Sequence, residues 1–266
     1  GKVMTTVVNN LRALGVSFFV LAGISACSKP SDNTTQPKGL SIPVTLSGAE
    51  QNVCPMTLSQ DAKWTFEAAS FYLSNPQIKT SNGWQDTEYV DSVWQTSDTA
   101  LLRFTGQCDQ QNNMVLQLNT DVDANDIKGF RALVAVPFEY NHSNPLTLPS
   151  PLNDASMLWS WQAGHKFIRI DMHRSDSEKQ WWIHLGSVGC ESSSDVRPPE
   201  EACHYPNHFT INVEKSALPA NGMTLDLTAL IDGINIDEEP GCDFQSPTLP
   251  SCNKLTATMA KSTWAK

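Results

Sequence analysis

The chain has 266 residues, 29.3 kDa and a formal net charge of −10. Hydrophobic residues make up 40% of it, enough to bury a core without help from a partner. The acidic balance argues against nucleic acid as a partner, because phosphate binding needs clustered Lys and Arg.

Residues 1–26 carry Lys2 and Arg12 and no acidic side chain. The mostly apolar run 13–24 is shorter than the roughly 20 residues that span a bilayer, and it fits the core of a signal peptide. It ends in Ile24-Ser25-Ala26-Cys27, which resembles the lipobox of bacterial lipoproteins. Cys27 is therefore expected to be the lipid anchor and the first mature residue. Residues 27–38, rich in Ser, Thr, Asn, Gln, Lys and Pro, read as a flexible tether, which leaves 39–266 as the folded domain. Ser28 follows Cys27 where an Asp would signal retention. By analogy with lipoprotein sorting, the expected location is the periplasmic side or the surface of the outer membrane.

Next come the strand candidates, short apolar stretches with period-two alternation at 42–46, 101–104, 114–118, 130–136, 167–172, 181–185 and 209–213. Ser31-Asp32-Asn33 and Ser81-Asn82-Gly83 read as turns, and 224–230 as a strand or a short helix. The pattern predicts an all-β domain, an antiparallel β-sandwich or barrel with long loops, with no helix of more than a few turns.

Besides Cys27 there are six cysteines: Cys54, Cys108, Cys190, Cys203, Cys242 and Cys252. In an exported chain an even number reads as disulfides, although sequence alone does not choose the pairing. Cys190/Cys203 and Cys242/Cys252 are close in sequence and would each close a local loop. Cys54/Cys108 is what remains. A thiolate metal site is the weaker reading, since no CxxC occurs.

No GxSxG, HExxH, P-loop or GxGxxG motif is present, so the sequence gives no support for an enzyme. Glu238-Glu239, beside Pro240-Gly241, reads as a solvated turn. Residues 136–190 are the dense region, holding four of the eight Trp and four of the six His. Neutral imidazoles in an aromatic surround suit copper or zinc, with Asp171 and Glu139 also available. The competing readings are core packing of the tryptophans and a stacking face. Trp159 and Trp161 lie two apart and would share a face if they sit on a strand, which would make a platform for carbohydrate or peptide. Trp182 and His184 would share a face for the same reason.

The same region is similar to the MbnP family, the partners in the so-called metallo-mystery pair. The matching residues are Val136-Pro137-Phe138, Asn141-His142 with Pro145-Leu146-Thr147, and Pro149-Ser150-Pro151-Leu152-Asn153. Further on they are Met157 with Trp159-Ser160-Trp161-Gln162, Lys166-Phe167 with Arg169 and Asp171, and His184-Leu185-Gly186-Ser187 with Gly189-Cys190. Weaker similarity runs from about 42 to 252 and includes Tyr72-Leu73-Ser74-Asn75. The resemblance implies an exported β-rich protein, not an enzyme, that binds one copper ion through histidines and a kynurenine made from a Trp. It also implies a di-haem partner of the MbnH peroxidase type that performs the oxidation. Carried over residue by residue, His142 and His184 are the expected ligands and Trp159 or Trp161 the expected kynurenine. His165 departs from the family's aromatic at that position and is taken as a non-ligand, as are His173 and His208.

Overall fold

A computed structural model describes residues 39–104, 108–245 and 249–266. Cys27, the tether and the Ser31-Asp32-Asn33 turn lie outside the described residues. Within them lie a ten-stranded sheet, a four-stranded sheet and a two-stranded hairpin. Among the described residues helices are short, and none is long and apolar enough to cross a membrane.

The organising element is the strand Trp64–Thr80. Its sequence is nearly continuously apolar at first, because strands flank it on both edges and layers cover both faces. Ile168–Arg174 pairs with its first half, Thr99–Arg103 with Ser70–Ser74, and Gly129–Val134 with its second half. At Asn75-Pro76 the register shifts and Asn75 takes a left-handed φ of 53°. Such a bulge bends the strand so that one segment serves two pairings. Beyond it, Ser81-Asn82 forms the expected tight turn into Gly83–Asp86.

The smaller sheet runs Met223–Asp226, Gly39–Ser47, Val115–Asn119, Glu88–Tyr89. In Gly39–Ser47, Ile42, Val44 and Leu46 point inward while the alternate residues face out. They meet the inner face of the large sheet in one core, where Trp64, Trp181, Trp264, Tyr72 and Phe71 are fully buried. Trp264 stacks on Phe71 at 6.2 Å. Each such side chain contributes about 1.5–3 kcal/mol by burial alone.

The all-β expectation holds, with mostly antiparallel pairing. Two pairs are parallel: Gly39–Ser47 with Met223–Asp226, and Gln180–Leu185 with Cys242–Asp243. The stretch 224–230 is both things at once, a strand to Asp226 and then a helical turn at Leu227–Leu230. The helix Pro250–Lys261, 12 residues and a little over three turns, stays within the few turns expected. It buries Cys252, Leu255 and Met259, which lie on one helical face.

Three disulfides join Cys54–Cys108, Cys190–Cys203 and Cys242–Cys252, with Cα–Cα separations of 5.4, 4.2 and 5.1 Å. The last ties the edge strand Cys242–Asp243 to the helix Pro250–Lys261. Replacing both of its cysteines with Ser should lower unfolding free energy by about 2–3 kcal/mol, from the lost constraint on the unfolded chain. Urea unfolding of the double variant measures this, and an unchanged midpoint would show that the staple is energetically silent.

Candidate metal centre

The run 130–136 read as one strand, but the strand ends at Val134. Pro137 cannot continue a ladder, and a one-turn helix, Phe138–Asn141, follows. His142 caps that turn and is only 5% exposed. The Phe138 ring lies 4.8 Å from its imidazole, and the Cys203 Sγ lies 3.3 Å from its Nε2. Asn141 is oriented by the backbone N–H of His165, which donates to its Oδ1 at 2.6 Å. The amide nitrogen is thereby aimed at His142 Nε2, 3.3 Å away. His142 Nδ1 is buried, and backbone groups of Trp161 and Gln162 hydrogen-bond to the ring. Burial lowers the pKa of this ring, so it is neutral at pH 7 and retains a lone pair for a metal.

Next to it is the hairpin of Leu158–Ser160 and Gly164–His165. Its strand stops at Ser160, so the expected alternation does not reach Trp161, which sits in the turn. The two indoles accordingly find different partners. Trp161 Nε1 donates to the backbone carbonyl of His142 at 2.7 Å. Trp159 lays its ring on Gly186, and its Nε1 is buried without a partner. A Cβ at position 186 would overlap that ring and sit 2.6 Å from the His165 carbonyl oxygen. Gly186→Ala should therefore cost about 1–3 kcal/mol and push Trp159 outward. Urea unfolding and the tryptophan emission maximum read both effects, and an unshifted emission would deny the contact.

His165 is fully buried. Its Nε2 lies 2.7 Å from the carbonyl of Leu152, and its ring meets Tyr72 edge-on at 5.6 Å. Burial lowers its pKa to about 4. These contacts make it the peg between the hairpin and the loop before it.

His184 lies on the strand Gln180–Leu185, on the side opposite the buried Trp181, Ile183 and Leu185. Trp182 shares that side, as the spacing predicts, and its ring lies 6.3 Å from the imidazole at 28°. His184 Nε2 is 2.6 Å from Asp171 Oδ1. Arg169 Nε donates to the other oxygen, Oδ2, at 2.7 Å. Burial raises the Asp171 pKa, but the hydrogen bond from His184 and the His184 and Arg169 charges outweigh it and hold the carboxyl below its ordinary range. A cavity of about 360 Å³ opens here, with Glu67, Trp182 and Asp243 among its walls.

Among the described residues, no hydrogen bond, ion pair or ring contact joins His142 directly to His184. The link between them is covalent. Cys203, against His142, is bonded to Cys190, six residues beyond His184. Among the described residues, one group of three ligand-type side chains gathers within 4.8 Å: His142, Cys190 and Cys203. The two sulfurs are joined to each other and offer no thiolate, so only the imidazole is a strong donor there. The contact of His142 with this disulfide was not foreseen. Both partners lay in or beside the dense region, but nothing in the spacing joins them. The loop that the disulfide closes carries Glu191, Asp195, Glu200 and Glu201 against one Arg197.

Fold and site together define a class: a disulfide-stapled β-protein with a neutral buried histidine and two tryptophans gathered on one hairpin. The chain belongs to the MbnP family, whose model matches residues 38–244. Among solved structures, MbnP from Methylosinus trichosporium shares the fold, with a TM-score of 0.62 and 21% identity over 82% of this chain and 86% of that one. A comparison with curated proteins gives no match.

Proposed function

We propose that the chain is an exported, copper-binding lipoprotein, not an enzyme, that takes up or hands on one copper ion at the outer membrane. His142 and His184 are its imidazole ligands, and Trp159 or Trp161 is converted to kynurenine by a di-haem partner of the MbnH type. Cys27 anchors the chain in the membrane. The observation that carries this reading is the orphaned polar chemistry beside the hairpin. His142 is buried and neutral, held by the backbone of Trp161 and Gln162, and Trp159 is buried with an unpartnered Nε1. Native proteins rarely leave such groups unpaired without a further partner. Copper, a borderline metal, is well served by imidazole and by the aryl amine and ketone of a kynurenine.

The balance of the modification is simple. Two equivalents of peroxide deliver two oxygen atoms across the indole C2–C3 bond and leave as two waters. Hydrolysis of the resulting formamide releases formate. The side chain has then exchanged one carbon for one oxygen. Between the two candidates, Trp159 fits better, because Trp161 already spends its N–H on the His142 carbonyl. A two-indole stacking platform for carbohydrate is disfavoured because Trp161 lies in the turn, off the strand that carries Trp159.

The test is intact mass and copper content of protein made with and without the di-haem partner. Carbon-for-oxygen exchange at one Trp, together with one copper per chain, is the expected result with the partner. Full copper loading with every indole intact would remove the kynurenine from the site.

A further inference from the structure

We infer that Asp171 is a positioning residue that holds His184 by its Nε2–H and so leaves Nδ1 as the nitrogen that would take the metal. This rests on the reading of His184 as a copper ligand and specifies how that ligand is presented.

The geometry fixes each partner in turn. Arg169 and Asp171 stand on the strand Ile168–Arg174, which pairs with Gln180–Leu185 so that Arg169 is opposite His184 and Asp171 opposite Trp182. Asp171 therefore reaches His184 along the diagonal on one face, within the range of cross-strand contacts. Its Oδ1 lies 2.6 Å from His184 Nε2, and its Oδ2 is occupied by Arg169 Nε at 2.7 Å. With both oxygens engaged, the carboxylate has one orientation. Its side chain is 17% exposed and that of His184 18%, so water competes little for the bond.

The chemistry then has one outcome. A ring that gives one nitrogen to a metal keeps a single N–H, and a carboxylate accepts hydrogen bonds, so that N–H sits on the nitrogen that faces Asp171. That nitrogen is Nε2, and the lone pair is left on Nδ1. A carboxylate behind a ligating imidazole fixes its tautomer and orientation and raises its basicity. Arg169 does for Asp171 what Asp171 does for His184.

Two readouts test this, one without metal. In the ¹⁵N spectrum of the full chain, His184 should show a protected Nε2–H that disappears in Asp171→Ala. Ag(I), a diamagnetic stand-in for Cu(I), should then give a one-bond silver–nitrogen coupling on Nδ1. In Asp171→Ala the copper Kd should rise by about 10–100-fold at unchanged stoichiometry. Asp171→Asn keeps the shape and loses the charge, and should fall between the two, which guards against misfolding of the alanine variant. Silver coupling at Nε2, or an unchanged copper Kd in both variants, would overturn the inference and leave His184 as a ligand. Silver coupling to neither His184 nitrogen would remove the ligand itself and the inference with it.

Discussion

Replacing either His142 or His184 with Ala should weaken copper binding by about 1,000-fold, equivalent to about 4 kcal/mol. A site with two imidazoles has no spare donors. Losing one leaves only the other imidazole and the kynurenine, an under-coordinated ion that water must complete. The two losses should look different in the apo-protein. His142 is buried against Phe138 and Cys203, so His142→Ala also opens a cavity and lowers stability. His184 lies outside the core, so His184→Ala opens no core cavity and should cost stability only through its lost bond to Asp171. His204→Ala, at a side chain 63% exposed, is the control and should leave affinity unchanged. Competition titration against a colorimetric chelator measures all three. Tight binding that survives loss of both His142 and His184 would place the metal elsewhere.

Acid should destabilise the fold through His165, by about 3 kcal/mol between neutral pH and the foot of its titration. Burial lowers this imidazole from an ordinary 6.5 to about 4. Above 6.5 the ring is neutral in both the folded and the unfolded chain, and its contribution is fully present. As pH falls from 6.5 toward 4, the unfolded chain takes up a proton that the folded one refuses. Stability drops through that window and levels off below it. His142 and His208, also lowered by burial, act in the same direction. Carboxylates held low, such as Asp171, give way only at more acid pH. The His165 share is isolated by His165→Gln, which keeps a hydrogen-bonding side chain that does not titrate. Its urea midpoint should start lower and decline less over the same pH range. Parallel decline in the two proteins would assign the acid sensitivity to other groups.

The strands were legible wherever one face is buried and the other wet, because alternation at 42–46, 181–185 and 209–213 records burial directly. The strand Trp64–Thr80 escaped notice for the opposite reason. Covered on both faces, it has no alternation to read, and its Asn75-Pro76 bulge looks like a turn. The helix Pro250–Lys261 was hidden because four buried residues, one of them Ser251, make a weak stripe among Thr, Ala and Lys. At the site, residue types and their crowding into 136–190 pointed to the region. What the residues do there depends on where short elements stop. The strand ends at Val134, Pro137 opens a one-turn helix that delivers His142 to its cap, and the strand end at Ser160 sends Trp159 and Trp161 to separate partners. No periodicity carries such endings. Arg169, Asp171 and His184 were all visible as residues, but only the register of two strands brings them into one chain of hydrogen bonds.

The strand Trp64–Thr80 also sets when this protein can fold. It is made early in the chain, yet it finds its neighbours at Thr99–Arg103, Gly129–Val134 and Ile168–Arg174. Until residue 174 is available, its edges stay open and its apolar faces stay wet. Such non-local pairing slows folding, because each loop must close before the contact rewards it. The chain should therefore remain unfolded until residue 174 is available and commit late, in one cooperative step. Chains cut short of residue 174 should aggregate through the open strand rather than hold a partial fold.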